Sequence, residues 1–204
     1  MGQDGGMKWT RAVHHTESLA QTCAEMITRP SSIFPLRVTQ MWAVGDILGP
    51  PRDIETVTVA LCVDLPADEV AWWTEPRGAQ HWSNATRLAK NPVVPWWRSA
   101  HGPVWNHRID RPALVWDEAN GVREDTVAAL REGRGESVRV ASPTPDEMRT
   151  RLGEELKVSL RALRTCTRAY EERRWSPGKL EPLADALWRA SDGYLDVRAA
   201  VDRG

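Results

Sequence analysis

The chain has 204 residues, with 27 Lys+Arg against 28 Asp+Glu and a formal net charge of −1. That length specifies one ordinary domain, or a domain with a helical appendage, and is enough to bury a real core. The even charge balance disfavours nucleic acid as a partner, since such binders carry a basic excess, and no stretch approaches the roughly 18 apolar residues of a membrane span.

Three cysteines, Cys23, Cys62 and Cys166, are odd in number and far apart, and each falls on an apolar stripe. This pattern fits buried free thiols in a reducing compartment better than disulfides. The first residues, MGQDGG, lack the basic start and apolar run of a signal peptide. Both observations place the expected site of action in the cytoplasm. The 11 tryptophans against 2 tyrosines and 1 phenylalanine admit two readings, core packing or a ligand-stacking pocket.

In chain order, residues 1–6 read as a disordered lead. From Met7 to Thr28 the apolar positions Trp9, Val13, Leu19, Cys23 and Met26 recur at three- and four-residue steps, which predicts a helix stopped by Pro30 and two serines. Leu36–Val44 and the β-favouring run Thr56–Val63 read as antiparallel neighbouring strands. Between them come a turn at Gly45-Asp46 and a rigid loop at Gly49-Pro50-Pro51. Strand parity sends Val57, Val59, Leu61 and Val63 towards helices, and Thr56, Thr58, Ala60, Cys62 and Asp64 the other way.

Pro66–Glu69 reads as a helix start continuing through Trp72 and Trp73 to Pro76, with a second short helix from about Gly78 to Leu88. Asn91–Asp110 carries three prolines and is expected to be irregular or a distorted hairpin. Arg111–Asp117 predicts a strand, Asn120-Gly121 a turn, and Val122–Arg131 a helix. Thr144-Pro145-Asp146-Glu147 is a helix entry with Thr as N-cap and Glu three residues on. Its stripe runs Met148, Leu152, Leu156, Leu160, Leu163, Cys166 and Tyr170. Ser176-Pro177-Gly178 breaks the helix, and a last helix runs from Leu180 to Val201, giving an antiparallel hairpin. The expected division is residues 1–140 as an α/β domain and residues 141–204 as the C-terminal helical hairpin.

The strand–glycine turn–loop–strand layout of Trp42–Asp64 (WAVGDILGPPRDIETVTVALCVD), with RPALVWDEANGVREDTVAAL downstream, resembles the DNA polymerase β-like nucleotidyltransferase superfamily. The resemblance implies an α/β (α+β) fold, a mixed sheet with flanking helices. It also implies chemistry in which two or three carboxylates hold two Mg²⁺ ions about 3.5–4 Å apart. Gly45 matches the family's glycine, but Asp46 stands where its serine would be. Thr56 and Thr58 fall at the two metal-binding carboxylates, and VVPWWR offers no third.

These departures point to a degenerate active site. The first reading is a non-catalytic binding or regulatory protein. Gly45, Asp46, Thr56 and Thr58, roofed by the segment that begins with Trp96 and Trp97, would hold a nucleotide or small-molecule ligand without a metal. The second is an active Mg²⁺-dependent nucleotidyltransferase using Asp53 and Glu55, with Asp46 or Asp64 as third acid. That reading needs a bulge between Glu55 and Val57 to present the pair. The third is a helical interaction module, half of a toxin–antitoxin-like pair, meeting a protein partner or a second copy through exposed apolar positions of Leu180–Val201. His101 and His107 read as surface-loop residues, with no metal-ligand spacing to complete a site. Neither a phosphate-binding P-loop nor a nucleophile turn is present in the sequence.

Overall fold

The run Val57–Val63 is apolar at every position but Thr58, and every residue except Thr58 is buried. In the computed structural model, which describes residues 6–175, 178 and 180–203, this run is strand β2 of a five-stranded mixed sheet. The strands are β1 (Val38–Val44), β2 (Val57–Val63), β3 (Val93–Ser99), β4 (Ala113–Asp117) and the short β5 (Gly121–Val122), in the order β3-β2-β1-β4-β5. β1 is antiparallel to both neighbours, with Ala43 opposite Val59 and Trp42 opposite Leu114, while β3 runs parallel to β2. The expected lead lies outside the described residues except for Gly6, and so do Ser176 and Pro177 of the expected helix break.

Helix α1 (Trp9–Met26) lays its periodic positions on one face of the sheet, beside α2 (Ala79–Ala85) and α3 (Glu124–Arg131). Val57, Val59, Leu61 and Val63 form the core there with Trp9, Val13, Leu19, Trp82 and Leu130. The Trp9 indole N–H donates to the Leu130 carbonyl at 3.1 Å, so this large side chain is buried with its polar atom satisfied. Ala60 and Cys62 look into a second core built with Trp72, Ile109, Leu152, Val197 and Ala200. The alternation expected of β2 is therefore present, and its second face is covered too at Ala60 and Cys62, with Thr58 half-buried. Cys23 and Cys62 are free and buried, and burial pushes the Cys62 thiol up to about 12.

The lid on the second face is a pair of long helices, α4 (Pro145–Arg173) and α5 (Glu181–Arg203). Thr144 caps α4 as expected, in a reciprocal capping box with Glu147, and Pro145 occupies the first turn. The two helices run antiparallel: Leu152 shares a core with Val197 and Ala200, while Cys166 shares a groove with Asp185 and Ala186. A helix of 29 residues is about 43 Å long, whereas a seven-residue strand spans roughly 23 Å. The sheet can support only about half of the pair. Accordingly Leu152, Glu155 and Ser159 are buried on α4, while Leu160, Leu163, Cys166 and Tyr170 are only half-buried.

Two expectations fail. The segment after Asn91 is not irregular but opens with β3, hydrogen-bonded along its length to β2. Pro95 is tolerated because β3 is an edge strand, whose outer side needs no ladder donor. The helix expected over Pro66–Pro76 is a single 3-10 turn, Ala67–Glu69, after which the chain turns sharply and holds Trp73 at φ 63.

Two glycines of the hairpin test how it sits. A Cβ on Gly193 would lie 2.2 Å from the Trp72 carbonyl oxygen, whereas one on Gly153 meets nothing within 4 Å. Gly193→Ala should therefore destabilise the protein by about 3 kcal/mol through overpacking, and Gly153→Ala should stabilise it by about 0.5–1 kcal/mol through helix propensity. Denaturant titration of the two variants checks both signs.

Candidate functional site

Two carboxylates of the hairpin, Glu155 and Asp196, each enter a polar group on the second face of the protein. Glu155 of α4 is 5% exposed and binds Arg98 of β3, itself 2% exposed. Arg151 Nε stands 3.1 Å from the same carboxylate, and Asn106 Nδ2 donates to its other oxygen at 3.0 Å. Asn106 is held in turn by the backbone N–H groups of Arg108 and Ile109, which donate to its Oδ1 at 2.9 and 3.0 Å. Burial by itself would raise the Glu155 pKa. The Arg98 and Arg151 guanidiniums and the Asn106 amide outweigh burial and hold it below the usual carboxylate value.

Asp196 of α5 sits one helix over. It accepts from Trp72 Nε1 at 2.9 Å, from Arg108 Nε at 3.1 Å, and from Trp73 Nε1 at 3.4 Å; His107 Nε2 lies 2.9 Å away. Partial burial opposes ionisation, but the Arg108, Trp72 and His107 contacts prevail and depress its pKa far below the ordinary range.

Trp72 joins the two groups. Its ring carries the Arg98 guanidinium at 5.5 Å and meets Trp96 at 5.4 Å, Trp73 at 5.6 Å and His107 at 5.8 Å, all edge-to-face. On one side of this cluster a cavity of about 180 Å³ opens at the β3 edge, walled by Trp72, Trp73, Val94 and Trp96, with the Glu75–Arg189 pair (2.8 Å) at its rim. On the other side a cavity of about 290 Å³ is lined by Trp72, Arg98, Arg151, Glu155 and Arg161. Trp73 stands 38% exposed in the left-handed region, a costly conformation for a bulky residue, held by its neighbours.

The residues singled out from the sequence are scattered by comparison. Gly45 has φ 71 and opens a 3-10 turn, and its carbonyl accepts from Arg139 Nη2 at 3.4 Å. Asp46 is exposed and paired with Arg52 at 2.7 Å. Thr56 is exposed and Thr58 half-buried opposite Val44. Trp96 and Trp97 do not roof these residues: both lie in β3 and point to opposite faces of the sheet. Trp96 packs on the second core, whereas Trp97 packs in the first against Trp82. Adjacent side chains of a strand leave on opposite faces, so these two do not form one roof over Thr56 and Thr58.

Asp53 and Glu55 are exposed and flank the buried Ile54, which exchanges backbone bonds with Met7 at 2.7 and 3.0 Å. Ile54 and Val57 share the first core although they are three residues apart, so the alternation breaks at Glu55-Thr56 and turns both acids outward. Asp64 cannot join them, because it follows the far end of β2 and pairs there with His101 at 2.8 Å. Among the described residues no group of three His, Cys, Asp or Glu could hold a metal ion. His107 is not a free surface residue but a half-buried partner of Asp196. The one sequence signal for the real polar groups was an acid inside an apolar stripe: Glu155 lies three residues from Leu152, and Asp196 beside Val197.

A family model described as a domain of unknown function (DUF7711) matches residues 7–203, and the chain belongs to that family. No curated protein and no solved structure matches it.

Removing the Glu155 charge leaves two guanidiniums buried without compensation. Glu155→Gln should cost about 3–5 kcal/mol of stability. Both carboxylates have depressed pKa values in the folded state, so the stability they contribute is complete above their unfolded values, near 4.5 and 3.8, and is lost as pH falls below them. Thermal unfolding should show the wild type losing stability below about pH 3.8 more steeply than an Asp196→Asn variant.

Proposed function

We propose that this protein is a non-catalytic ligand-binding or regulatory protein on a nucleotidyltransferase-like layout, and that its ligand occupies the tryptophan-walled cavity beside β3. The observation that carries this reading is the covered second face of β2. Where the resemblance would set the two metal-holding carboxylates, the chain carries Thr56 and Thr58, and the same face of the strand continues with Ala60 and Cys62. Ala60 and Cys62 are packed under Trp72, Val197 and Ala200. A triphosphate with its hydrated Mg²⁺ ions that extended along β2 past Thr58 would have to lift the hairpin from Ala60 and Cys62, opening both carboxylate groups.

The cavity beside Trp73 is of a different kind. At about 180 Å³ it is smaller than the roughly 300–1,000 Å³ of pockets for drug-sized ligands, which suits a single planar ring system the size of a nucleobase. Indole walls bind such rings by stacking without selecting among them, at about 1–3 kcal/mol per base. The Glu75–Arg189 pair supplies one acceptor and one donor edge at the rim.

The outward turn of Asp53 and Glu55 favours a second reading, a working Mg²⁺-dependent nucleotidyltransferase built on that pair. Calorimetric titration of ATP, GTP, CTP and UTP and their nucleosides, each with and without Mg²⁺, separates the two. The binding reading expects affinity that is independent of metal, weakened about tenfold by Trp73→Ala and unchanged by Asp53→Ala/Glu55→Ala. Binding of one nucleotide that requires Mg²⁺ and vanishes in the double variant would establish the enzyme instead.

A further inference from the structure

The solvent-facing sides of α4 and α5 are chemically opposite. On α4, Lys157, Arg161, Arg164 and Arg168 recur at steps of four, three and four residues, so they form one line along the helix. All four are exposed, on the side opposite the buried Leu152, Glu155 and Ser159. No acid occurs between Leu156 and Tyr170. Among the described residues only Arg161 of the four has an ion-pair partner, Asp68 at 3.9 Å. On α5 the outward side carries Ala184, Trp188, Leu195 and Ala199, with Trp188 67% and Leu195 61% exposed. Asp185 and Asp192, both exposed, flank this apolar line.

The two lines are also in register. Cys166 and Ala186 border one groove, and Leu152 and Val197 share one core. Stepping along the antiparallel pair therefore brings Arg168 within about one turn of the level of Asp185, and likewise Arg164 of Trp188, Arg161 of Asp192 and Lys157 of Leu195.

We infer that this face binds a second copy of the chain, forming a two-fold dimer in which α4 of each copy lies on α5 of the other. A two-fold axis parallel to the helices and centred between them puts the α4 line of one copy over the α5 line of its partner, twice, in an isologous contact. Arginines then meet aspartates in both halves, and Trp188 and Leu195 are covered by the stems of Arg164 and Lys157 of the facing helix. The outward face is about 20 Å by about 34 Å, an area on the order of 700 Å² per copy. That is close to the roughly 800 Å² per partner of a standard interface. A polyanion fits less well: laid along α4 it would run within about one Debye length, roughly 10 Å, of Asp185 and Asp192.

Charge reversal tests the crossed geometry. One variant carries Arg161→Glu/Arg168→Glu, the other Asp185→Arg/Asp192→Arg; all four positions are exposed, and circular dichroism verifies the fold of each. Sedimentation equilibrium of the wild type should show a dimer whose affinity falls at least tenfold between about 50 mM and about 500 mM salt. Each variant alone should be monomeric, since like charges then face each other across the two-fold. An equal mixture of the two should recover dimers, because both halves of the mixed interface pair opposite charges. A wild type that stays monomeric at about 100 µM, a dimer indifferent to the reversals, or a mixture that fails to associate would overturn the inference. A monomer retained by DNA or anionic vesicles through the same arginines would replace the second copy with a polyanion.

Discussion

Everything on the second face of the sheet depends on two carboxylates that the hairpin carries into the protein. Taking an ion from water into a protein interior costs several kcal/mol, and the cost is recovered only where the partners are close and the remaining lone pairs are used. Glu155 meets that condition with two guanidiniums and an amide, and Asp196 with two indoles, an imidazole and a guanidinium. An apolar interface alone would let two helices slide or rotate over the sheet at little cost. These acids allow one seating, because any shift of a turn would leave a buried charge without a partner.

That seating determines what chemistry the sheet can perform. A mixed sheet whose second face stayed open could offer side chains of β1, β2 and β3 to a phosphate chain. Here the face is a dry core, and the small residues Ala60 and Cys62 are what allow Trp72 and α5 to approach it. The close approach of Gly193 to the Trp72 carbonyl belongs to the same design, since a side chain there would hold the helix away. What remains open lies at the margin, along the unpaired edge of β3, where Trp73 is fixed in a conformation that only its neighbours sustain.

The distal half of the hairpin obeys a different constraint. It extends past the sheet, so its inner leucines are covered by the partner helix alone, and its outer sides carry unlike charges. A helix pair of this kind is marginal in isolation, because tertiary packing supplies most helical stability. Its rigidity comes from the anchored half and from contacts with the 74–80 segment, including Arg189 with Glu75.

The helices α1, α3, α4 and α5 and the strands β1, β2 and β4 were legible in the sequence because each is a local pattern: a period of 3.6 or 2, a capping box, a glycine at a turn. The parity of β2 followed from the same logic. β3 was not legible, since proline argues against a strand until its edge position is known, and edge position is a property of the assembled sheet. Nor was the site. Arg98, Asn106, Glu155 and Asp196 are separated by up to a hundred residues and read one by one as solvated polar groups. The sequence by itself determined these local patterns, the free state of the cysteines and the absence of carboxylates at Thr56 and Thr58. Only the tertiary structure decided that the hairpin closes over that face and which charges it buries, because the energy of a buried ion depends on partners that the chain brings together from afar.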